Sequence, residues 1–552
     1  MKGEGVNPRV ALCALAAAAA ACLGAAGCSA RSAETRDADA VVCGWIASPD
    51  GFDRLTSHRP QATMIDDEIY TPLIDLGPDM LPRWSTSLVK SVRIGDGGLR
   101  YVLHLRPNVR WSDGAAEDAS DVLFTVRAAR NPAVIESRTA DFTLMRSIRA
   151  LDALTVEITL SRPSPPFLFN ALADDITPMP AHVLDRYPDD PAKEAAFINT
   201  DGGYGAHPLF SGPFRIRSFV PDSYTIIEPN PTYWGRPPLL REIAFRVYPQ
   251  QDSLYAAVDA GEVDVTDISP DLWRVHGRLR GPHRFVNWPW NVTFYLLPNF
   301  ADPSVWFLHD RTVRQAVMYA LDRQAIVRQV MSGQAMVLNG PIPTFSAFYD
   351  RRLRTYSYDP PRARSLLDAD GWKLRGRVRF KAGRPMRFVL KTGGATDGVA
   401  MDVAQLIQAN LRSVGIDCEL QNEEIGTFFQ DLYDTRFAVA LRGRILHPYP
   451  DDFAFFDSTQ TRRRGGYNLG SYSDPVVDRL LESARSAPDA ASARRALDAY
   501  QEVAARQIPA FYLYSNMLGA VVPQDLRGYE LTPLSAAALP SGLQFWHRTP
   551  AR

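Results

Sequence analysis

The sequence predicts a mixed α/β fold, either α/β or α+β, arranged in several lobes. Three observations lead there. Strand-like and helix-like segments are interleaved along the whole chain, and no fixed-period repeat points to a solenoid or propeller. The chain has 552 residues, which at ~100–200 residues per domain allows roughly three to five domain-sized units. Its 46% apolar and 10% aromatic content can fill large cores and argues against disorder, collagen or a coiled coil. Charge excludes a further class: 61 Lys+Arg against 62 Asp+Glu leave no global field to draw the chain onto nucleic acid or an anionic membrane. Six of the basic residues are Lys and 55 are Arg, whose planar fork suits carboxylate and phosphate locally.

The N-terminus reads as a processing signal. Lys2 and Arg9 precede an apolar run from Val10 to Leu23, and Gly24-Ala25-Ala26-Gly27 leads into Cys28, a layout of basic, apolar and small-residue regions. Residues 1–27 are therefore expected to be a signal peptide. Cys28 is the candidate lipidation site, because the stretch before it resembles a bacterial lipobox, and plain secretion is the alternative. The run from Val10 to Gly27 approaches the ~18–20 residues that span a bilayer, but its Ala and Gly content makes a poor span. Residues 28–40 are small and polar, as a tether would be. Cys43 and Cys418 remain, far apart in strand-like contexts, and are expected to be two separately buried thiols.

The fold begins near Val41. Tyr101-Val102-Leu103-His104-Leu105 alternates like a half-buried strand, Trp111-Ser112-Asp113-Gly114 carries the Asp-Gly of a tight turn, and Asp121 to Arg130 has the apolar spacing of a helix. Asp113 and His104 are read as a turn aspartate and an outward-facing strand histidine. Leu254, Ala257 and Val258 form one side of a helix that Gly261 ends. Val313, Val317, Ala320 and Leu321 form the apolar side of another, with its arginines elsewhere. In Asn230-Pro231-Thr232-Tyr233-Trp234, Asn and Pro make a turn and the aromatics supply buried area.

The run Leu99 to Gly114, continued by Asp121-Val122-Leu123-Phe124, resembles the signature of the family 5 extracellular solute-binding proteins, the dipeptide and oligopeptide receptors of bacterial ABC importers. Further matches follow in the family's order: Ile69-Tyr70-Thr71-Pro72-Leu73, Ser211-Gly212-Pro213-Phe214, Asn230 to Trp234, Ala260 to Asp264, Val313 to Arg323, Tyr358-Asp359-Pro360 with Gly371-Trp372, and Arg494 to Pro509. The resemblance implies a two-lobed periplasmic-binding-protein fold of class II type with an additional N-terminal subdomain. Residues 41–60, 207–286 and 515–552 would form lobe I, 61–206 the inserted subdomain, and 287–514 lobe II. It also implies a monomer that captures a small-molecule or peptide ligand in the cleft and hands it to an ABC permease and ATPase complex. The protein would be exported and held by a lipid anchor, periplasmic or on the outer face of the cytoplasmic membrane.

The first crossing between lobes is expected near Asn287 to Asn299, with the return after Tyr512 to Asn516. An extended strand would put Asn291, Thr293 and Tyr295 on one face, available to a cleft, and Trp290, Val292 and Phe294 on the other. The family's peptide receptors hold the peptide α-amino group with an acidic residue in a Trp-x-Ala-Asp-Tyr-Pro-Asp-Pro segment. In the matching stretch, Gly443 to Phe453, that position falls on His447 or Pro448, and the Trp on Arg444 or Ile445. Either Asp451 or Asp452 is repositioned to meet an amine, or the ligand has none; Arg444 would suit a carboxylate, phosphate or sulfate. The candidate ligand-binding residues are thus Tyr70, Trp288, Trp290, Asn291, Tyr295, Arg444, His447 and Asp451. Peptide, opine, sugar, nickel complex and organic anion all stay open as ligands.

Two competing classes are a secreted enzyme and a sensor on the same fold. The Gly-x-Ser-x-Gly, His-Glu-x-x-His and P-loop patterns are absent from the sequence, and its nine His show no pair at metal-ligand spacing. No catalytic residue, metal or cofactor is expected.

Overall fold

A computed structural model describes residues 39–57, 59–135, 142–174, 176–268, 282–394, 398–535 and 539–549. The expected signal peptide, Cys28 and most of the tether lie outside the described residues. From Val41 to Arg552 the chain forms one unit.

Its first sheet joins β1 (Ala40–Trp45) to three later strands, and the chain leaves it through helix α1 (Pro60–Ile69). A second antiparallel sheet follows, from β2 (Val89–Gly95), β3 (Arg100–Leu105), β4 (Met145–Asp152) and β5 (Thr155–Leu160), in the order β2-β3-β5-β4. β3 is the strand expected at Tyr101 to Leu105, and Gly114, at φ 93°, closes the turn after it. Helix α2 (Ala119–Ala129) starts on a capping box: Asp118 accepts from Ser120 N at 2.8 Å and Asp121 accepts from Asp118 N at 3.0 Å. Asp121 also accepts from Trp111 Nε1 at 3.1 Å, which ties the turn to the helix and gives a physical reason for the spacing of those residues. The first sheet is then completed by β6 (Phe214–Val220), β7 (Tyr224–Pro229) and β8 (Glu242–Val247), in the order β1-β8-β7-β6.

After the short β9 (Thr266–Asp267) comes β10 (His283–Pro298), 16 residues long. The largest sheet also takes β11 (Ala335–Val337), and beside it β12 (Lys373–Arg375), β13 (Val378–Lys381) and β14 (Arg384–Pro385) make a small one. β15 (Arg387–Gly393), β16 (Asp417–Glu423) and β17 (Val439–Ile445) run parallel, with helix α3 (Val399–Ser413) crossing between the first two, as a parallel connection requires. β18 (Phe511–Pro523) returns antiparallel to β10, giving the order β11-β18-β10-β17-β15-β16, and a ribbon of β19 (Leu526–Arg527) and β20 (His547–Arg548) ends the chain.

The cores follow this division. One gathers β1, α1, Trp288 and Leu518 to Trp546; a second runs from Leu73 to Ile176; a third and fourth lie on the two sides of the large sheet, between Tyr295 and Tyr514. β10 pairs with β18 from His283–Pro523 to Pro289–Met517 and again from Thr293–Ser515, with an irregularity between. Pro289 has no amide hydrogen to give the ladder. Asn291 fills the gap: its N–H donates to Pro533 O at 3.1 Å, its side-chain amide to Leu446 O at 2.9 Å, and its carbonyl accepts from Leu446 N at 2.7 Å. Cys43 and Cys418 are buried and separate, as expected.

Two expectations about charge are corrected. Arg314 was to point away from the packed side of its helix (Arg311–Ala320), yet it is 6% exposed and donates to the carbonyls of Leu308, His309 and Gln507 at 2.6, 2.9 and 2.7 Å. Arg444 was to be a cationic group of the cleft. It is 9% exposed on β17, pairs with Asp452 at 2.5 Å and lies 4.4 Å from the centre of the Phe455 ring. Asp452 in turn accepts from the Tyr500 hydroxyl at 2.6 Å. Asp452 thus answers the guanidinium charge through one nitrogen, while Nε and Nη1 are buried with no hydrogen-bond partner among the described residues.

Two consequences can be measured. Arg444→Ala should cost about 3–5 kcal/mol in urea unfolding by stranding Asp452, whereas Arg444→Met combined with Asp452→Leu should recover most of it; equal losses for both variants would show that the pair itself stabilises. At Gly212 an added Cβ would sit 2.7 Å from Glu68 O and 2.8 Å from Tyr70 N, so Gly212→Ala should cost about 1–3 kcal/mol by prising α1 from the following segment. An unchanged urea midpoint would contradict that packing.

Candidate functional site

The cleft of about 380 Å³ is built mainly from α1, the segment after it and the C-terminal segment. α1 begins on Pro60, suited to a first turn, and buries Ala62, Ile65, Asp66 and Ile69 on one side, with Met64 and Glu68 buried on another. Glu68 falls in phase with Met64, so this face delivers a carboxylate to the cleft wall, 8% exposed. Its Oε1 accepts from Leu543 N at 3.0 Å. Burial pushes the Glu68 carboxyl well up, with the Leu543 N–H opposing and the neighbouring Asp67 adding to the rise.

Opposite charges elsewhere in the wall are paired. Arg83 reaches Asp75 at 2.8 Å and Glu530 at 2.6 Å, joining the segment after α1 to the chain's C-terminal region, and Arg54 lies 3.3 Å from Asp67. Tyr233, Thr71 and Gln544 add polar edges. From the loop after β17, His447 lines the cleft and is exposed.

Of the residues expected from sequence, Tyr70 and His447 come to this cleft. Tyr70 is fully buried in its wall, with its hydroxyl donating to Phe52 O at 2.5 Å, so it supports the wall and offers no free hydroxyl. Trp288 (2% exposed) sits in the core of the first sheet, against which Trp290 packs half-buried. Tyr295 is also 2% exposed, in the core beside Tyr512, while Phe294 stacks on Tyr514 with ring centres 4.9 Å apart. The face assigned to a cleft is thus packed, because β10 lies inside a sheet with a core on each side. Asn291 bridges strands, as described above.

Asp451 lines a separate cavity of about 110 Å³ with Asn170, Ser164 and Arg485, and burial raises its carboxyl despite Arg485 3.7 Å away. Asn170 also clamps the neighbouring loop: its side-chain amide donates to Tyr449 O at 3.1 Å and its Oδ1 accepts from Tyr449 N at 3.0 Å. Asp113 accepts from Ala115 N at 3.0 Å in its turn and lies 2.7 Å from His182 Nε2; His104 is not its partner.

Sequence reading missed Glu68, Arg83 and Glu530. Glu68 lies in phase with Met64 and off the stripe of Ala62, Ile65 and Ile69, so helical periodicity alone does not single it out. Arg83 and Glu530 are 447 positions apart, and no local pattern links them.

Comparison with known proteins gives the chain its relatives. The family model for bacterial extracellular solute-binding proteins, family 5 middle, matches residues 83–467. The oligopeptide-binding protein AppA of Bacillus subtilis is 26% identical over 500 residues, covering 89% of this chain and 89% of that protein. The nickel-binding periplasmic protein of Escherichia coli is 25% identical over 462 residues, covering 80% and 82%. The solved structure of HbpA2 from Haemophilus parasuis superposes with a TM-score of 0.78 at 20% identity, over 93% of this chain and all of that one. The architecture is that of the two-lobed periplasmic solute-binding proteins, and substrate binding for an ABC importer is its function. The chain belongs to the bacterial extracellular solute-binding proteins, family 5.

Proposed function

We propose that this protein is the lipid-anchored receptor of a bacterial ABC importer, fastened at Cys28, which captures a peptide or peptide-like solute between its lobes and presents it to a permease. The observation that carries this reading is the cleft itself: α1, the segment after it and the C-terminal segment line it, and His447 reaches it from the loop after β17. Residues 41–60, 207–286 and 515–552 would act as one lobe, 287–514 as the other, and 61–206 as an inserted subdomain. Such a cleft works by population shift, since a ligand touching both walls favours the closed form by its difference in affinity for the two states. A peptide-like ligand is supported by the relative named for oligopeptide binding, and export by the n-region, apolar run and Cys28 at the start of the chain.

Two measurements test the reading. A ligand at about 100 times its Kd adds about 2.7 kcal/mol, so one member of a pool of di- to nonapeptides should raise the melting temperature and shrink the radius of gyration in solution scattering. A pool that does neither would remove the peptide assignment. In a bacterial host, Cys28→Ala should abolish labelling by radioactive palmitate and release the protein from the membrane fraction; persistent labelling would place the anchor elsewhere.

A further inference from the structure

We infer that Asn170 is a positioning residue for the ligand cleft: from the inserted subdomain it pins the loop that carries His447, which holds its place in the cleft wall only while subdomain and lobe II are seated together. This goes beyond the solute-binding reading above but rests on its division of the chain into lobes. The loop from Leu446 to Tyr449 is held at both ends, with His447 and Pro448 between. At the near end, Leu446 N donates to Asn291 O at 2.7 Å and Asn291 Nδ2 donates to Leu446 O at 2.9 Å. At the far end, Asn170 Nδ2 donates to Tyr449 O at 3.1 Å and its Oδ1 accepts from Tyr449 N at 3.0 Å. An Asn side chain carries the donor and acceptor of a peptide group, and here it meets both backbone groups of Tyr449 as a neighbouring strand would.

The two pins belong to different bodies. Asn291 lies on β10, which pairs with β17 just before the loop, where Val292 faces Ile445, so it moves with the loop. Asn170 is 279 positions from Tyr449, on the helical stretch Phe167–Asp174, whose Ala173 lines the same cleft as His447. The surroundings of Asn170 are those of a joint that can part. Phe169 meets Tyr449 and Phe348 with ring centres 5.8 and 6.0 Å apart, and Arg162 pairs with Glu482. Gly98, where a Cβ would lie 3.3 Å from Pro488 O, lets the turn after β2 come close. Between these contacts runs a cavity of about 110 Å³, lined by Asn170, Ser164, Asp451 and Arg485 among others. Such a void means that fewer atoms touch across the joint than across a core, so less packing is lost when it opens. Tyr449 itself stays with lobe II, since its hydroxyl donates to Ala484 O at 3.3 Å and its ring packs on Phe348 at 4.9 Å. Parting the joint strips Tyr449 of both backbone partners and leaves Leu446 with its own. His447 then hangs from one pin instead of two.

Hydrogen exchange on the purified full chain, read at single amides by mass spectrometry, tests this without a ligand. In the wild type the Leu446 amide should outlast that of Tyr449 by about tenfold or more, because only the second loses its partner when the joint opens. Asn170→Ala removes two hydrogen bonds, together worth about tenfold in an equilibrium. It should speed exchange at Tyr449 by about that factor, while Leu446 exchanges as before and the melting temperature barely moves. In calorimetric titration with the di- to nonapeptide pool, the tightest member should bind Asn170→Ala about tenfold more weakly than the wild type. Equal exchange of the two amides in the wild type, a comparison that needs no variant, overturns the inference. Unchanged exchange at Tyr449 in Asn170→Ala, equal acceleration of both amides there, or undiminished peptide affinity overturns it too. A pool that binds neither form, with the expected exchange pattern, removes the peptide assignment and supports the positioning role. Peptide binding without that pattern does the reverse.

Discussion

The pairing of β10 with β18 is the constraint on which the rest of the structure depends. Both strands run out of one core and into another: Trp288 and Leu518 pack with β1 and α1, whereas Leu296 and Phe511 pack with the helices of the large sheet. A ladder of fixed register would make the two halves rigid with respect to each other. The ladder instead breaks between Pro289 and Thr293, where proline removes a donor and Asn291 turns its amide to Leu446 and its N–H to Pro533. Ser515 answers from the other strand, its hydroxyl 3.0 Å from Trp290 O and 2.9 Å from Val292 O. The backbone groups are thus satisfied without a regular ladder, as their burial requires.

Some of the arginines serve to close the backbone. Arg323 and Arg379, 5% and 2% exposed, each serve several backbone carbonyls, Leu338, Tyr512 and Tyr356 for the first and Val414 and Trp372 for the second. A guanidinium spreads its charge over a planar fork and can close several chain ends at once, as an ammonium cannot. These residues hold loops against strands, and their charge has no part in attracting a solute. Near-neutrality of the whole chain and abundance of one basic residue are therefore compatible with a cleft of the opposite, acidic character.

What was legible in the sequence was local. The strand from Tyr101, the Asp-Gly turn and the helix behind Asp118 are each encoded within a dozen residues, by alternation, turn chemistry and a cap. The long extended run after Asn287 was legible for the same reason. Its facing was not, because alternation identifies a face only where one side is wet, and β10 has protein on both sides. Arg444 illustrates a second limit: its chemistry was read correctly, but the choice between a ligand anion and Asp452 depends on how a loop folds back over β17. The cleft wall illustrates a third, since Arg83 meets Glu530 only after both ends of the chain have been brought to one place.

The distance between β10 and β18 along the chain also bears on how the molecule is made. More than two hundred residues separate the paired segments, so closing that loop costs entropy that no local contact returns. A chain emerging N-terminus first can complete the β2 to β5 sheet early, whereas β1 and α1 share their core with the last residues to appear. The core that β1 and α1 share with the C-terminal residues is consequently among the last parts to become whole, and until then its apolar surface needs protection from other chains.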